Sequence, residues 1–221
     1  MTMQDYDQLL ERQGGVCAIC KMPSEETLVV DHDHASGSVR GLLCTPCSRV
    51  LGQIKDGAPT LQAAIHYLQR TEADRNWDRY FLQIAALVAT RSKDPSSQVG
   101  AVLVRERTII STGYNGFPRG VDDTVAERYA RPLKYQWVVH AEENCLLAAA
   151  RNGSATDGAT LYVTPLFPCA RCATSIVQAG VKEVVSNDHL RDNPRWKGDF
   201  EQSTQILSEA GVLVRTPTSR G

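Results

Sequence analysis

The sequence has no hydrophobic run long enough to cross a membrane. Its longest apolar stretches, such as Ile84–Ala89, are far shorter than the ~20 residues that a membrane-spanning helix needs. The N-terminal stretch MTMQDYDQLLERQ is polar and acidic, which is not the pattern of a secretory signal peptide. We therefore expect a cytoplasmic protein with no membrane partner.

Basic charge and aromatic side chains are also scarce. The net charge of the 221-residue chain is −1, and residues 1–75 hold 7 Lys and Arg against 10 Asp and Glu. A domain that grips duplex DNA needs a basic surface, and one that binds single strands needs aromatic rings on which bases stack. Aromatic residues make up only 6% of this chain. We expect weak or no binding to nucleic acid.

The length fits one large or two small domains, and the pattern changes near residue 75. Residues 1–75 predict a small module, in which two Cys-x-x-Cys turns bracket a hairpin and the polar stretch Thr71–Arg75 is a linker. Residues 76–221 alternate helical and strand patterns. This alternation predicts the α/β class, a mixed sheet with helices on both faces, preceded by a ββα module.

The predicted elements follow from hydrophobic periodicity and from Gly and N-cap signals. The predicted strands are Leu28–Val30, Val39–Leu43, Val99–Val104, Thr108–Gly113, Thr160–Thr164, Val181–Ser186 and Val212–Arg215. The predicted helices are Tyr6–Gln13, Thr60–Arg70, one capped by Asn76, Val139–Arg151, Cys169–Ala179 and Phe200–Ala210. The stretch Asp122–Gln136 is predicted to be a polar insert.

Six of the seven cysteines form three Cys-x-x-Cys pairs: Cys17/Cys20, Cys44/Cys47 and Cys169/Cys172. In a reducing compartment such pairs indicate metal ligands rather than disulfides. The first two pairs together are typical of a closed four-cysteine zinc site, which is structural because no position remains for water. The seventh, Cys145, is expected to be a small buried apolar residue.

The third pair combines with His140-Ala-Glu142 to give the strongest signal in the chain. One His and two Cys leave the fourth position of a tetrahedral zinc open for water. Glu142, two residues from a ligand, would transfer protons between that water and the substrate. H-x-E followed by P-C-x-x-C is the signature of zinc-dependent nucleobase deaminases. The alternative is a closed site with His189 or Cys145 as fourth ligand, in which Glu142 has no role.

Four segments of residues 76–215 resemble the deoxycytidylate deaminase family: RSKDPSSQVGAVLV, GYNGFPRGVDD, HAEEN and the stretch Gly158–Val185. The resemblance implies conversion of dCMP to dUMP and ammonia. It implies that Asn115 contacts the deoxyribose and the backbone of Ala141 the pyrimidine carbonyl. Arg91 or Lys93 would bind the phosphate, the alternative for both being a solvated helix end.

The same resemblance implies a hexamer that dCTP activates and dTTP inhibits, with Mg²⁺ accompanying the regulatory nucleotide. Arg119 and Arg151 are the regulatory candidates, in a region that the insert Asp122–Gln136 can reshape. The sequence leaves open whether a 5-modified dCMP, a triphosphate or single-stranded nucleic acid is the substrate.

Residues 6–70 resemble the recombination endonuclease VII family, a phage branch of the His-Asn-His nucleases, which suggests a phage-related protein in a host cytoplasm. The resemblance implies that Asp31 binds a catalytic divalent ion, His32 activates water and His34 assists at the phosphate. The asparagine that supplies the second metal ligand is replaced by Ser48, whose hydroxyl is a weaker ligand for a hard cation. We expect a structural or accessory module, with DNA cleavage as the alternative.

Overall fold

The computed structural model describes residues 2–55, 57–69, 71–187 and 194–217. The chain forms two compact units, Met1–Leu61 and Gln62–Gly221. The boundary that the sequence places at residue 75 stays a prediction. No helix within the described ranges is long and apolar enough to span a membrane.

The first unit is a small hairpin module. Its strands β1 (Val29–His32) and β2 (Val39–Leu43) pair antiparallel, as predicted. Helix α1 (Met3–Arg12) precedes the hairpin and α2 (Thr45–Gln53) follows it, while α3 (Ala58–Gln69) continues into the second unit. A small core of Cys17, Leu28, Leu42 and Leu43 holds this unit together.

The second unit is a five-stranded mixed sheet in the order β4-β3-β5-β6-β7, in which β3 is antiparallel to β4 and β5 and the last three strands are parallel. This architecture confirms the predicted α/β class. The strands are β3 (Gly100–Arg105), β4 (Thr108–Tyr114), β5 (Thr160–Thr164), β6 (Glu183–Ser186) and β7 (Leu213–Arg215). The helices are α4 (Glu72–Ala89), α5 (Lys134–Trp137), α6 (Ala141–Arg151), α7 (Ala170–Gln178) and α8 (Lys197–Glu209), with a 3₁₀ turn at Ala126–Tyr129.

Both faces of this sheet are covered, which explains why β3 is apolar along almost its whole length. Its alternate residues point to opposite faces. Ala101 and Leu103 pack in the core that includes residues of α6, α7 and α8. Val102 and Val104 pack against Phe81, Leu82 and Ala85 of α4 on the other face.

The start of α4 differs from the prediction. The helix begins at Glu72 rather than after Asn76, because Thr71 and Asp74 form a capping box in which each side chain bonds the other's backbone N–H. The polar stretch predicted as a linker is therefore the capped first turn of a helix. Helix α2 was not predicted, and α3 begins at Ala58 rather than Thr60.

Gly113 lets α6 lie directly on strand β4. A Cβ atom at this position would lie 2.3 Å from the backbone N of Cys145 and 2.4 Å from the backbone O of Ala141. We expect Gly113→Ala to destabilise the protein by ~3 kcal/mol, because the backbone of α6 must move. The measurement is the midpoint of urea unfolding.

Gly198 in the first turn of α8 is the matched control, since nothing lies within 4 Å of a Cβ added there. Gly198→Ala should leave the midpoint unchanged or raise it, because alanine reduces the conformational freedom of the unfolded chain. Equal midpoints for the two variants would contradict the close approach of α6 to β4.

Candidate active site

Two helix N-termini meet in the second unit and bring the predicted ligands together. His140 is the N-cap of α6 and follows a short antiparallel bridge between Gly116 and Val139. Cys169 is the N-cap of α7, where its sulfur accepts a hydrogen bond from the backbone N–H of Cys172. Helix N-termini favour negative charge, so the start of α7 favours a thiolate at Cys169.

The spacing of the three ligand atoms fits a tetrahedral zinc ion. The Nδ1 atom of His140 lies 3.4 Å from the sulfur of Cys169 and 3.3 Å from that of Cys172. Zinc bonds of about 2.0 Å to nitrogen and 2.3 Å to sulfur at tetrahedral angles separate these atoms by about 3.5 Å. The side chains can therefore close on one ion without a large movement.

The ionisation of these groups also suits a metal. A hydrogen bond from Cys172, together with neighbouring His140, lowers the pKa of Cys169 to about 4. The interaction with Cys169 raises the pKa of His140 to about 9. The Nδ1 atom of His140 faces both sulfurs, so the three ligand atoms are placed to bind one cation.

Among the described residues, the metal-ligand group at this site has three members, His140, Cys169 and Cys172. Cys145 is completely buried in the core, and burial raises the pKa of its thiol to about 12. This is the apolar role predicted for it. His189, the other alternative fourth ligand, lies outside the described residues.

Glu142 lies in the first turn of α6 and is only 3% exposed. Burial raises the pKa of its carboxyl group to about 7. A carboxyl group with a pKa near neutrality both accepts and releases protons readily, which suits a general acid–base catalyst. Glu142 lies two residues after the predicted ligand His140, and its role in proton transfer stays a prediction.

A cavity opens above these residues and is lined by His140, Ala141, Glu142 and Cys169. Its apolar wall includes Val138, Leu166, Phe167, Trp196 and Phe200, and its polar wall includes Asp94, Asn115, Arg131 and Lys134. An apolar pocket with a few convergent polar groups is the usual form of a small-molecule site.

Asn115, predicted to contact the sugar, lines this cavity and is 6% exposed. Its Oδ1 accepts a hydrogen bond from the backbone N–H of Val99 at 2.7 Å. Its Nδ2 donates to Asp94 Oδ2 at 3.1 Å and to the backbone O of Ser97 at 2.8 Å. The amide is therefore rigidly oriented and retains one acceptor lone pair on Oδ1.

The four basic residues predicted to bind phosphate or effectors lie outside the cavity lining. Lys93 forms an ion pair with Asp123 at 2.8 Å, and Arg91 is exposed. Arg119 and Arg151 are exposed as well, the first in the loop after β4 and the second at the end of α6. Arg131 and Lys134 contribute to the lining instead. Neither residue was predicted to bind substrate, because both lie in the stretch interpreted as a polar insert.

The four cysteines of the first unit form the second metal-ligand group in the described part of the chain. The sulfurs of Cys20 and Cys44 are 3.8 Å apart, which matches the roughly 3.8 Å between sulfurs on a tetrahedral zinc. Although burial opposes it, backbone hydrogen bonds from Cys44, Cys20 and Ile19 lower the pKa of Cys17 to about 6. The donor set fits a closed structural zinc.

The nuclease candidates form no comparable group. The carboxylate of Asp31 accepts two hydrogen bonds from the guanidinium of Arg40, at 2.7 and 3.1 Å. The rings of His32 and His34 contact each other edge to face at a centroid distance of 5.0 Å. Ser48 lies in α2, where its N–H bonds the backbone O of Cys44. The predicted metal ligand Asp31 is thus engaged by an arginine.

Fold and site together define a zinc-dependent hydrolytic deaminase. Residues 75–187 match the model of the cytidine and deoxycytidylate deaminase zinc-binding region, and the chain belongs to this family. Residues 1–70 match the recombination endonuclease VII model. Both matches confirm the resemblances found in the sequence.

Relatives and solved structures agree with this assignment. Human deoxycytidylate deaminase is 46% identical over 145 residues, which cover 63% of this chain and 78% of the relative. An uncharacterized deaminase of Aliivibrio fischeri is 42% identical over 139 residues, which cover 62% of this chain and 91% of the relative. The dCMP deaminase of cyanophage S-TIM5, solved in complex with dCMP and dUMP, is 28% identical with a TM-score of 0.52 and covers 62% of this chain and 94% of that one.

Proposed function

We propose that this protein catalyses the hydrolytic deamination of dCMP to dUMP and ammonia. The observation that supports it most is the buried carboxyl group of Glu142 beside His140, Cys169 and Cys172, at a cavity that Asn115 also lines. The similarity to a phage deaminase solved with dCMP and dUMP supports the choice of substrate.

When bound, the zinc ion held by His140, Cys169 and Cys172 supplies an activated water as nucleophile. The Glu142 carboxylate accepts the first proton of that water and delivers it to N3 of the pyrimidine. It then transfers the second proton to the amino group. The C4–O bond forms, the C4–N bond breaks and ammonia leaves, so that the water supplies the new carbonyl oxygen and both transferred protons.

Two further groups orient the substrate in this proposal. Ala141 is the first residue of α6, so its backbone N–H has no partner within the helix and donates to the pyrimidine carbonyl. Asn115 accepts a hydrogen bond from a deoxyribose hydroxyl through the remaining lone pair of Oδ1, because both protons of Nδ2 are used within the protein.

The finer assignments rest on the ligand sets and on the family resemblance. We propose two zinc ions per chain, one catalytic and one structural at Cys17, Cys20, Cys44 and Cys47. We also propose a hexamer in the host cytoplasm, with dCTP as activator, dTTP as inhibitor and Mg²⁺ accompanying the nucleotide. Arg119 and Arg151 are the candidate effector contacts, and both are exposed.

Ammonia release by the purified zinc-loaded protein tests the proposed activity. The substrates are dCMP, 5-methyl-dCMP, dCTP and a cytosine-containing oligonucleotide, and the dCMP assay is repeated with added dCTP as effector and followed by formation of dUMP. We expect dCMP to be converted fastest. Faster conversion of the oligonucleotide would overturn the proposed substrate, and an increase on adding dCTP would support the regulatory assignment.

The endonuclease-like module is proposed to be structural. Because Arg40 engages Asp31 and Ser48 replaces the second metal ligand, we expect no nicking of supercoiled plasmid with either Mg²⁺ or Mn²⁺. The matched comparison is the double variant Arg40→Ala/Ser48→Asn. It removes the ion pair between Arg40 and Asp31 and places an amide ligand at position 48. Metal-dependent nicking by the wild type that disappears in His32→Ala would contradict this assignment.

A further inference from the structure

A buried lysine on the cavity wall has no role in the chemistry described above. Lys134 is 7% exposed, and its Nζ forms an ion pair with Asp94 Oδ2 at 2.5 Å. Both residues line the cavity. Burying two charges is costly, and an apolar pair of similar volume often gives equal or greater stability. This pair therefore points to a function in the cavity.

Asp94 is fully occupied by fixed groups. Its Oδ1 accepts hydrogen bonds from the backbone N–H groups of Ser96 and Ser97 at 2.8 and 3.1 Å. Its Oδ2 accepts from Asn115 Nδ2 and pairs with Lys134. The Asp94 carboxylate thus fixes the position of Asn115, which is proposed to bind the sugar, relative to the ammonium group of Lys134.

Lys134 retains hydrogen-bonding capacity toward the cavity. An ammonium group has three donors, and the pair with Asp94 uses one. The described residues provide no other hydrogen bond or ion pair to its Nζ. Because the side chain is nearly inaccessible from outside yet lines the cavity, the remaining donors are available to a bound molecule.

A second cation reinforces the charge of this wall. Arg131 lines the same cavity, three residues before Lys134, and its guanidinium lies 6.0 Å from the ring centroid of Tyr135. Asp94 balances the charge of Lys134, so Arg131 leaves an excess positive charge on this side. Arg131 is exposed, and its guanidinium also bonds the Tyr135 side chain, so a wall with this guanidinium and two free ammonium donors of Lys134 suits a phosphate monoester.

We propose that Lys134 and Arg131 bind the 5′-phosphate of the substrate, and that Asp94 positions Lys134 together with Asn115 so that phosphate and deoxyribose are recognised as one unit. This inference rests on the proposed deaminase function and deepens it. Selection of nucleotide over nucleoside lies in the polar insert, rather than at Arg91 and Lys93, which do not line the cavity.

The test compares kcat/KM for dCMP and for deoxycytidine in Lys134→Gln and Arg131→Gln. Each variant should lower kcat/KM for dCMP by ~10–100-fold, the range expected for losing a hydrogen bond to a charged group. The value for deoxycytidine should fall far less. Lys182→Gln, a change of an exposed lysine outside this cavity, is the matched control and should alter neither substrate.

Lys134→Gln leaves the charge of Asp94 unbalanced, so Asp94→Asn/Lys134→Gln provides a neutral pair with the hydrogen bond retained. Zinc content and the unfolding midpoint establish that each variant is folded. Equal losses for dCMP and deoxycytidine would overturn the proposal, because they indicate a structural role. A loss selective for dCMP in Lys93→Gln but not in Lys134→Gln would also overturn it.

Calorimetric titration with dUMP and deoxyuridine separates this inference from the proposed reaction. The wild type should bind dUMP more tightly than deoxyuridine, and Lys134→Gln should remove most of that difference. This binding difference does not depend on catalysis. A wild type that binds dUMP more tightly than deoxyuridine but fails to deaminate dCMP would overturn only the proposed function. Equal binding of dUMP and deoxyuridine by the wild type would overturn the phosphate site.

Discussion

Glu142→Gln should lower the kcat for dCMP deamination by ~10⁴-fold, the upper range for loss of a general acid–base group. Glutamine has nearly the same shape as glutamate, so the buried position in α6 is kept, but it cannot accept and release a proton. The zinc ligands are unchanged, and bound zinc per chain should therefore equal that of the wild type. The measurements are steady-state kinetics and metal content.

Glu143→Gln is the control for this prediction because it makes the same chemical change one residue along the helix. Glu143 pairs with exposed Arg171 at 3.1 Å, and it does not line the cavity. We expect its kcat to stay close to that of the wild type. Comparable losses in the two variants would mean that charge near the zinc ligands, rather than proton transfer by Glu142, governs the rate.

Cys172→Ala and Cys47→Ala should each remove one zinc ion per chain with opposite consequences for activity. Cys172→Ala removes a ligand of the open site, and deamination should fall to background. Cys47→Ala opens the closed site, and the first unit should unfold, because structural zinc contributes ~10–16 kcal/mol of binding free energy in small zinc modules. Deamination should persist, since the described residues that form the core of the sheet all belong to the second unit.

Metal analysis reports the loss of zinc, ammonia release reports the activity, and limited proteolysis reports the unfolding of the first unit. Cys145→Ala is the matched control, because Cys145 belongs to neither ligand group, and this variant should retain both ions. A wild type with one zinc per chain would contradict the two-site proposal. Loss of deamination in Cys47→Ala would show that the catalytic domain depends on the zinc module.

The parts of both ligand groups were predictable from sequence because the spacing within each part is local. Cys169 and Cys172 lie at the start of a helix, three residues apart, and His140 and Glu142 occupy the N-cap and first turn of another. The strands were predictable because β3, β5 and β6 are short apolar runs bounded by turn residues. Covering of both sheet faces accounts for that pattern.

The polar wall of the cavity could not be predicted in the same way. Lys134 lies in a stretch of mixed charge that looks solvent-exposed, and only its long-range pair with Asp94 buries it. Conversely, Lys93 belongs to a motif of the family resemblance, yet its ammonium faces Asp123. Long-range pairing decides which of two lysines reaches the cavity, and hydrophobic periodicity contains no information about it.

Deamination in water enriched in ¹⁸O, followed by mass spectrometry of the product, tests the central claim most directly. We predict that dCMP yields dUMP with one heavy oxygen at C4 and one equivalent of ammonia, and that Glu142→Gln yields neither. Unchanged dCMP after incubation with zinc-loaded wild-type protein would contradict the assignment of dCMP as substrate. dUMP without the heavy oxygen would contradict a hydrolytic mechanism.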